Sequence, residues 1–459
     1  MNTKTSMPHA TSMPASHVFG RDTRTAFPVA VRAQGIHIYD STGKRYLDAS
    51  GGAAVSCLGH AHPTVCAAVK EQVDRLGYAH TGFFTNLPQE ELALELTAHA
   101  PDGLNRAYFV SGGSEATEGA LKLARQYHVE CGRPERKHFI SRWFSYHGNT
   151  LGALSVSGHH ARRSSYLPLL HNVTHIAPCY AYRGKRAGES DAQYGLRVAD
   201  ELEEAILRLG ANSVAAFIAE PVVGATLGAV AAVPGYFKRV REICDRHGVL
   251  LILDEVMCGM GRTGTLHACE QDGIAPDILL LAKGLGAGYQ PIGAMLVAEK
   301  IYDAIARGSG SFNHGHTYMG HAVGCAAALA VQRVIRSENL LANVRRQGDR
   351  LDALLKERFA NHANVGDIRG RGLLRAIELV QDKTSKQPFP ATDRLQLRIK
   401  QQAMAEGLIC YPGGGTVDGS AGDHVLIAPP FNVTSSEVET IVSALESAVI
   451  GALDSLQHS

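Results

Sequence analysis

The strongest restriction on the fold comes from six short runs, AYFVSGG, HFISRW, AAFIAEPV, VLLILDEV, ILLLAKG and PIGAMLVA, which are apolar at almost every position and alternate with segments of helical period. A strand with one wet face alternates apolar and polar residues, so runs without that alternation predict strands covered on both faces. Helices crossing over such strands give an α/β fold with a mostly parallel central sheet. A chain of 459 residues also exceeds what one core holds, which predicts two lobes. Residues 63–320 carry the α/β rhythm and form the expected large domain. Beyond Thr317 the pattern changes to long helical segments, GCAAALAVQRVIR and LLANVRRQGDRLDALLKERF, followed by the strand-like GLLRAIELV and HVLIAPPF. Residues 321–459 are therefore expected to be a smaller α+β domain. Its last helix, from Ser435 to about residue 453, carries a one-sided apolar stripe of Val438, Ile441, Val442, Leu445 and Val449. Residues 18–62 read as an N-terminal segment joining the small domain, with a β-hairpin about Asp40, Ser41, Thr42 and Gly43. Residues 1–17, rich in Ser, Thr, Pro and Met, are expected to be a mobile tail.

Charge and cysteine usage narrow the function. The chain has 45 basic and 44 acidic side chains, a formal net charge of +1, which argues against nucleic acid as a partner. The basic groups at residues 133–137 and at Arg162 and Arg163 read as solvated faces. Nine cysteines without a CxxC pair, set among Ala, Val, Leu and Ile, read as reduced core thiols and point to a cytoplasmic location. No stretch resembles a signal h-region or approaches the roughly 20 apolar residues of a membrane span, so a soluble protein with no membrane partner is expected.

Three local signals carry chemistry. In VLLILDEVMCG an apolar strand ends in Asp254 and Glu255. A carboxylate there is costly to bury, and ligands of open α/β sheets bind beyond the carboxyl ends of strands; the plainer alternative is an Asp opening a loop. In DILLLAKGLGAGYQPIGA a second run ends in Lys283, with Gly284, Gly286 and Gly288 behind it. A desolvated lysine is a nucleophilic amine, and neighbouring glycines let a planar ligand approach the backbone; alone, the residue reads more readily as a solvated strand end. In YFVSGGSEATEGALKLARQY a strand leads through small residues into a helix opening near Ser114. Free N–H groups, a hydroxyl and the helix dipole form an anion cradle, although ordinary helix caps look the same. Together, an acid, an amine and a phosphate cradle at separate strand ends are what pyridoxal 5'-phosphate requires: a partner for its ring nitrogen, an amine for its aldehyde and a seat for its phosphate.

From about residue 20 onward the chain resembles the class III aminotransferases, fold type I pyridoxal-phosphate enzymes, through SGGSEATEGALKLAR, SYHGNTLGAL, IAEPVVGA, LILDEVMCGMGRTG, LAKGLGAGYQPIGA, HGHTYMGHAVGCAAALA and RGRGLLRAIEL. The resemblance implies that Gly113 and Ser114 bind the phosphate, that Tyr146 stacks on the pyridine ring, and that His147 and Gly148 complete the loop beneath it. Val256 is implied on the opposite face, Asp254 as the partner of the ring nitrogen, and Lys283 as the Schiff-base lysine and proton shuttle. Thr317 matches a residue that reaches the phosphate of the neighbouring subunit, which implies a homodimer with shared active sites. The implied reaction is ping-pong transfer of an amino group from an amine donor to an oxo-acid acceptor.

One departure bears on the donor. In the ornithine and acetylornithine branch an Arg three residues before the Pro-Pro pair binds the substrate carboxylate, whereas HVLIAPPF has Leu426 there. Glu220 resembles the acid that pairs with that Arg, so it needs another partner or takes up a proton. GDHVLIAPP resembles the amine:pyruvate, or ω-amine, branch, which suggests a primary amine or ω-amino donor and pyruvate as acceptor. The mobile Arg frequent in that branch is absent from residues 416–421, and Ala53 and Ala54 stand where a bulky aromatic is common, predicting a wider pocket. Racemases, aminomutases and decarboxylases share this scaffold and form the alternative. A nicotinamide enzyme is disfavoured because GLGAG is GxGxG, not GxGxxG.

Overall fold

The apolar runs become strands of one sheet because each lies between helices that bury it from both sides. In the computed structural model, which describes residues 16–457, seven strands lie in the order Leu104–Val110, Gly293–Ala298, Ile278–Leu281, Leu250–Asp254, Val214–Ala219, His138–Arg142 and Thr174–Ile176. All neighbouring pairs are parallel except those made by Gly293–Ala298, which runs antiparallel to both of its neighbours. Every residue of Val214–Ala219, Leu250–Asp254 and Ile278–Leu281 is buried, which is why these runs lack alternation. The edge strand Thr174–Ile176 has three residues, too few to leave a periodic signal.

One face of the sheet is covered by the helix Gly113–Glu130, whose Ala116, Ala120 and Ala124 meet Ile218, Ile252 and Leu280. Small residues on this helix let it approach closely. The helices Asp191–Leu209 and Tyr236–His247 cover the other face.

A separate four-stranded sheet, ordered Val365–Arg371, Leu374–Leu379, Asp423–Ile427 and Tyr411–Gly414, is antiparallel throughout. It shares a core with the helices Leu340–Phe359, Leu395–Ala405 and Ser435–Gln457. The stripe Val438, Ile441, Val442, Leu445 and Val449 faces that core, each residue at most 2% exposed. The hairpin forms as expected, from His37–Asp40 and Arg45–Asp48, with Ala30–Gln34 adding a third strand. The Asp40 carboxylate fixes its turn by accepting from Thr42 N, Lys44 N and Tyr46 Oη. This early segment pairs with the parallel strand Leu408–Ile409 through Leu47 and Asp48. Residues 30–48 and 408–409, far apart in the chain, are thus joined in one small sheet.

Two expectations need correction. Arg136 and Arg163 are buried rather than solvated; Arg136 donates to the carbonyls of Val214 and His247, satisfying carbonyls left open at the ends of a strand and a helix. Cys131 is exposed and Cys66 and Cys410 are half-buried, so only six of the nine free thiols lie in the core. The expected tail falls, for residues 1–15, outside the described residues. No helix among the described residues is long and apolar enough to cross a membrane.

Candidate active site

The parallel strands direct their carboxyl ends toward one cavity of about 440 Å³. Leu250–Asp254 delivers Asp254, Ile278–Leu281 leads two residues later to Lys283, and Leu104–Val110 leads through Ser111 and Gly112 into the N-terminus of Gly113–Glu130.

Lys283 occupies a left-handed backbone conformation, φ 44°, which is unfavourable for a side-chain-bearing residue. The strain is held by a tight turn in which Leu285 N donates to Ala282 O and Ala287 N to Lys283 O, both at 2.8 Å. The Nζ donates to no acceptor among the described residues. Burial holds this amine below its usual range, opposed by the charges of Asp254 and Glu220, so the neutral nucleophilic form is favoured.

Asp254 is 4% exposed, and a carboxylate so placed needs partners. His147 Nδ1 lies 2.8 Å from Oδ2, and Val256 N donates to Oδ1 at 2.9 Å. Facing a carboxylate, Nδ1 carries the hydrogen. His147 is itself fixed by its N–H to Ser157 Oγ at 2.8 Å and by Thr117 Oγ1 donating to its carbonyl at 2.7 Å. The adjacent Glu255 turns away. Its two oxygens accept from Ala268 N and Cys269 N, each at 2.7 Å, and burial pushes its carboxyl up to about 7. Of the two acids in the motif, one faces the cavity and the other caps a neighbouring turn.

At the helix N-terminus the first N–H groups have no acceptor within the helix. Ser114 Oγ accepts from Asn149 N at 3.0 Å, which brings the loop containing Gly148 over them. A side chain at Gly148 would meet Ser114 Oγ at 2.6 Å, and one at Gly113 would meet Val256 at 3.0 Å. The cradle is therefore shaped by the lack of two Cβ atoms. Tyr146 and Val256 also line the cavity.

Residues 18–449 match the family described as aminotransferase class-III. The chain belongs to the class-III aminotransferases. An uncharacterized aminotransferase of Schizosaccharomyces pombe is 44% identical over 430 residues, 94% of each chain. The crystal structure of a thermostable (S)-enantioselective omega-transaminase from Thermomicrobium roseum is similar with a TM-score of 0.90 at 35% identity, covering 96% of this chain and 97% of that one. The omega-transaminase from Pseudomonas jessenii in complex with PMP gives a TM-score of 0.88 at 33% identity over 93% of each chain. The fold is thus that of the fold type I enzymes, and the cofactor of this family is pyridoxal phosphate.

Within this class-III aminotransferase the structure brings Gly113, Ser114, Tyr146, His147, Gly148, Glu220, Asp254, Val256 and Lys283 around one cavity. Thr317 lies apart from it, exposed, its carbonyl accepting from Tyr78 Oη at 3.0 Å. Glu220 finds its partners in the backbone: Oε1 accepts from Tyr146 N at 3.0 Å and Oε2 from Gly224 N at 3.1 Å. Burial raises its carboxyl above the usual range. Leu426 is packed in the core with Val222, Met257 and Ala376 and is not in the cavity wall. Ala54 shares that core, while the next residue, Val55, lines the cavity. Val55, rather than Ala53 or Ala54, forms this part of the wall, and φ of 61° at Ala54 turns the chain there. Sequence reasoning missed the His147–Asp254 pair and the placement of Arg162, whose guanidinium stands 4.5 Å from the Tyr146 ring centroid.

Proposed function

We propose that this protein is a pyridoxal-phosphate-dependent transaminase that moves an amino group from a primary amine or ω-amino compound to an oxo acid, with pyruvate as the favoured acceptor, by a ping-pong mechanism. The observation that carries the reading is the convergence on one cavity of an unpartnered Lys283 amine, the buried Asp254–His147 pair and the N-terminus of Gly113–Glu130. This donor set fits the cofactor: an amine for the aldehyde, a buried carboxylate for a protonated ring nitrogen, and free N–H groups for a phosphate.

When bound, the cofactor supplies an electron sink for the carbon that loses a proton. Asp254 keeps the proton on the ring nitrogen, and His147 holds Asp254 in place. Gly113, Ser114 and the loop at Gly148 bind the phosphate. Tyr146 and Val256 flank the ring, and Glu220 fixes the Tyr146 backbone. Lys283 Nζ takes the proton from the amine-bearing carbon of the donor and returns it on the far side of the exchange, a task suited to an amine whose basicity burial has lowered. Thr317 serves the phosphate of a neighbouring copy, which makes the working unit a homodimer with shared sites; its exposure outside this chain's own cavity supports that role. A cytoplasmic setting accords with nine free thiols.

The cavity wall holds no arginine among the described residues, so nothing in the wall itself demands a donor with a carboxylate beside its reacting carbon. Half-reactions with a panel of amines and amino acids, followed by loss of the cofactor's visible absorbance, test this. Rapid bleaching by carboxylate-free primary amines, restored by pyruvate, is expected; bleaching by α-amino acids alone, or product formation without any acceptor, would refute it.

A further inference from the structure

An acceptor such as pyruvate carries a carboxylate that must be received, and the cavity wall offers no arginine, its one lysine, Lys283, lying beside two acidic side chains, Asp254 and Glu220. Arg162 does not line that wall but adjoins it at Tyr146. It belongs to the short helix His160–Arg163, and its own N–H donates to His159 Nδ1 at 3.4 Å, which fixes the backbone. Its guanidinium carbon lies 4.5 Å from the centroid of the Tyr146 ring, and Tyr146 is part of the wall. The side chain is half-buried, yet the guanidinium meets no carboxylate among the described residues. Neighbouring arginines are otherwise engaged: Arg142 donates to the Glu220 carbonyl, and Arg163 is buried with its guanidinium over Trp143.

An arginine stacked on an aromatic face keeps its edge N–H groups free, and that edge matches a carboxylate in two parallel hydrogen bonds. The charge of Arg162 also acts on Lys283, lowering its amine further after the larger effect of burial, so its field extends to the reacting centre.

We propose that Arg162 is the specificity-determining residue that receives the carboxylate of the oxo-acid acceptor, with the Tyr146 ring as the platform that aims it. This rests on the transaminase reading above. A donor amine without a carboxylate leaves the guanidinium stacked and unused, and an oxo acid engages it, so one cavity serves both substrates.

The test uses the holoenzyme and its Arg162→Ala and Arg162→Lys variants, with 1-phenylethylamine and pyruvate as separate half-reaction probes. Losing a charge-assisted bidentate contact is expected to raise KM for pyruvate about 10- to 100-fold, to change the amine half-reaction far less, and to be partly recovered in Arg162→Lys. Binding of propionate, which has the carboxylate and no carbonyl to react, should weaken by the same factor in a calorimetric titration. Trp143, the one tryptophan, stacks on His160 of the same helix at 4.6 Å, so unchanged emission shows that the helix is in place. Equal losses in both half-reactions would reduce Arg162 to a prop for Tyr146 and overturn the assignment, as would unchanged pyruvate KM and propionate binding. Wild-type enzyme that no carboxylate-free amine converts would overturn the donor reading above, whereas this inference fails separately, on propionate binding that Arg162→Ala leaves unchanged.

Discussion

At the scale of single residues, the chemistry of the site depends on environments that a sequence does not display. Asp254 and Glu255 are neighbours, yet one pairs with His147 inside the cavity and the other accepts two backbone N–H groups away from it. The division follows strand alternation: consecutive side chains point to opposite sides of the sheet. On the proposed roles, Lys283→Ala removes the proton carrier and should slow the amine half-reaction by about 10²- to 10⁴-fold, while the protein stays folded. Asp254→Asn replaces the charge facing the ring nitrogen by a neutral amide. A loss on the order of 10²-fold or more is expected from removing one preorganised charge contact, with cofactor still bound. Single-turnover absorbance measurements check both, and wild-type rates in either variant would contradict the assignment.

Among elements, the helix Gly113–Glu130 and the loop at Gly148 matter most, because each is useful only against the other. The helix exposes N–H groups at its start, and Asn149 N on Ser114 Oγ sets the loop across them. Gly148 has φ 133°, and an added Cβ would meet Ser114 Oγ at 2.6 Å and Ser114 Cα at 2.8 Å. Gly148→Ala should therefore open the cradle. Cofactor affinity, read by equilibrium dialysis or by titrating the visible absorbance, is expected to fall at least 10-fold, corresponding to about 1.4 kcal/mol or more, with a smaller change in thermal stability of the cofactor-free protein. A cofactor affinity equal to wild type would show that the loop takes no part in the seat.

For the whole molecule, burial of neutral histidines sets the response to acid. Burial lowers His128, His159, His175 and His267 to about 4 and His424 to about 3. Each is depressed below its unfolded value, so the unfolded chain binds more protons between those values and about 6.5. Their contribution to stability is complete above pH 6.5 and is lost as the pH falls toward 4. Glu255 and Asp423, raised by burial to about 7 and about 6, and Glu220, also raised by burial, oppose this over part of the range, but three groups do not cancel five. Urea midpoints should drop steadily from pH 7.5 to pH 5, with a slope of a few kcal/mol per pH unit at most, since each net proton is worth about 1.4 kcal/mol per unit. A midpoint that does not move over this range would mean that these rings are solvated.

The sequence by itself determined what is local and what is patterned. Continuous apolar runs fixed the class of sheet, the small-residue turn before Ser114 marked a helix start, the Asp40 turn marked a hairpin, and the spacing of Asp254, Lys283 and the glycines brought the family into view. These signals are short-range, because strand and helix periods are written within a few residues. Tertiary structure alone decided what lies across the chain: His147 and Asp254, 107 positions apart, as one hydrogen-bonded pair; backbone N–H groups as the partners of Glu220; Val55 rather than Ala54 in the wall; and Arg162, read from its basic neighbours as a solvated face, stacked over Tyr146. Burial and pairing belong to the packing of separate strands and loops, and the free energy of a charge is set by what surrounds it, which no window of sequence contains.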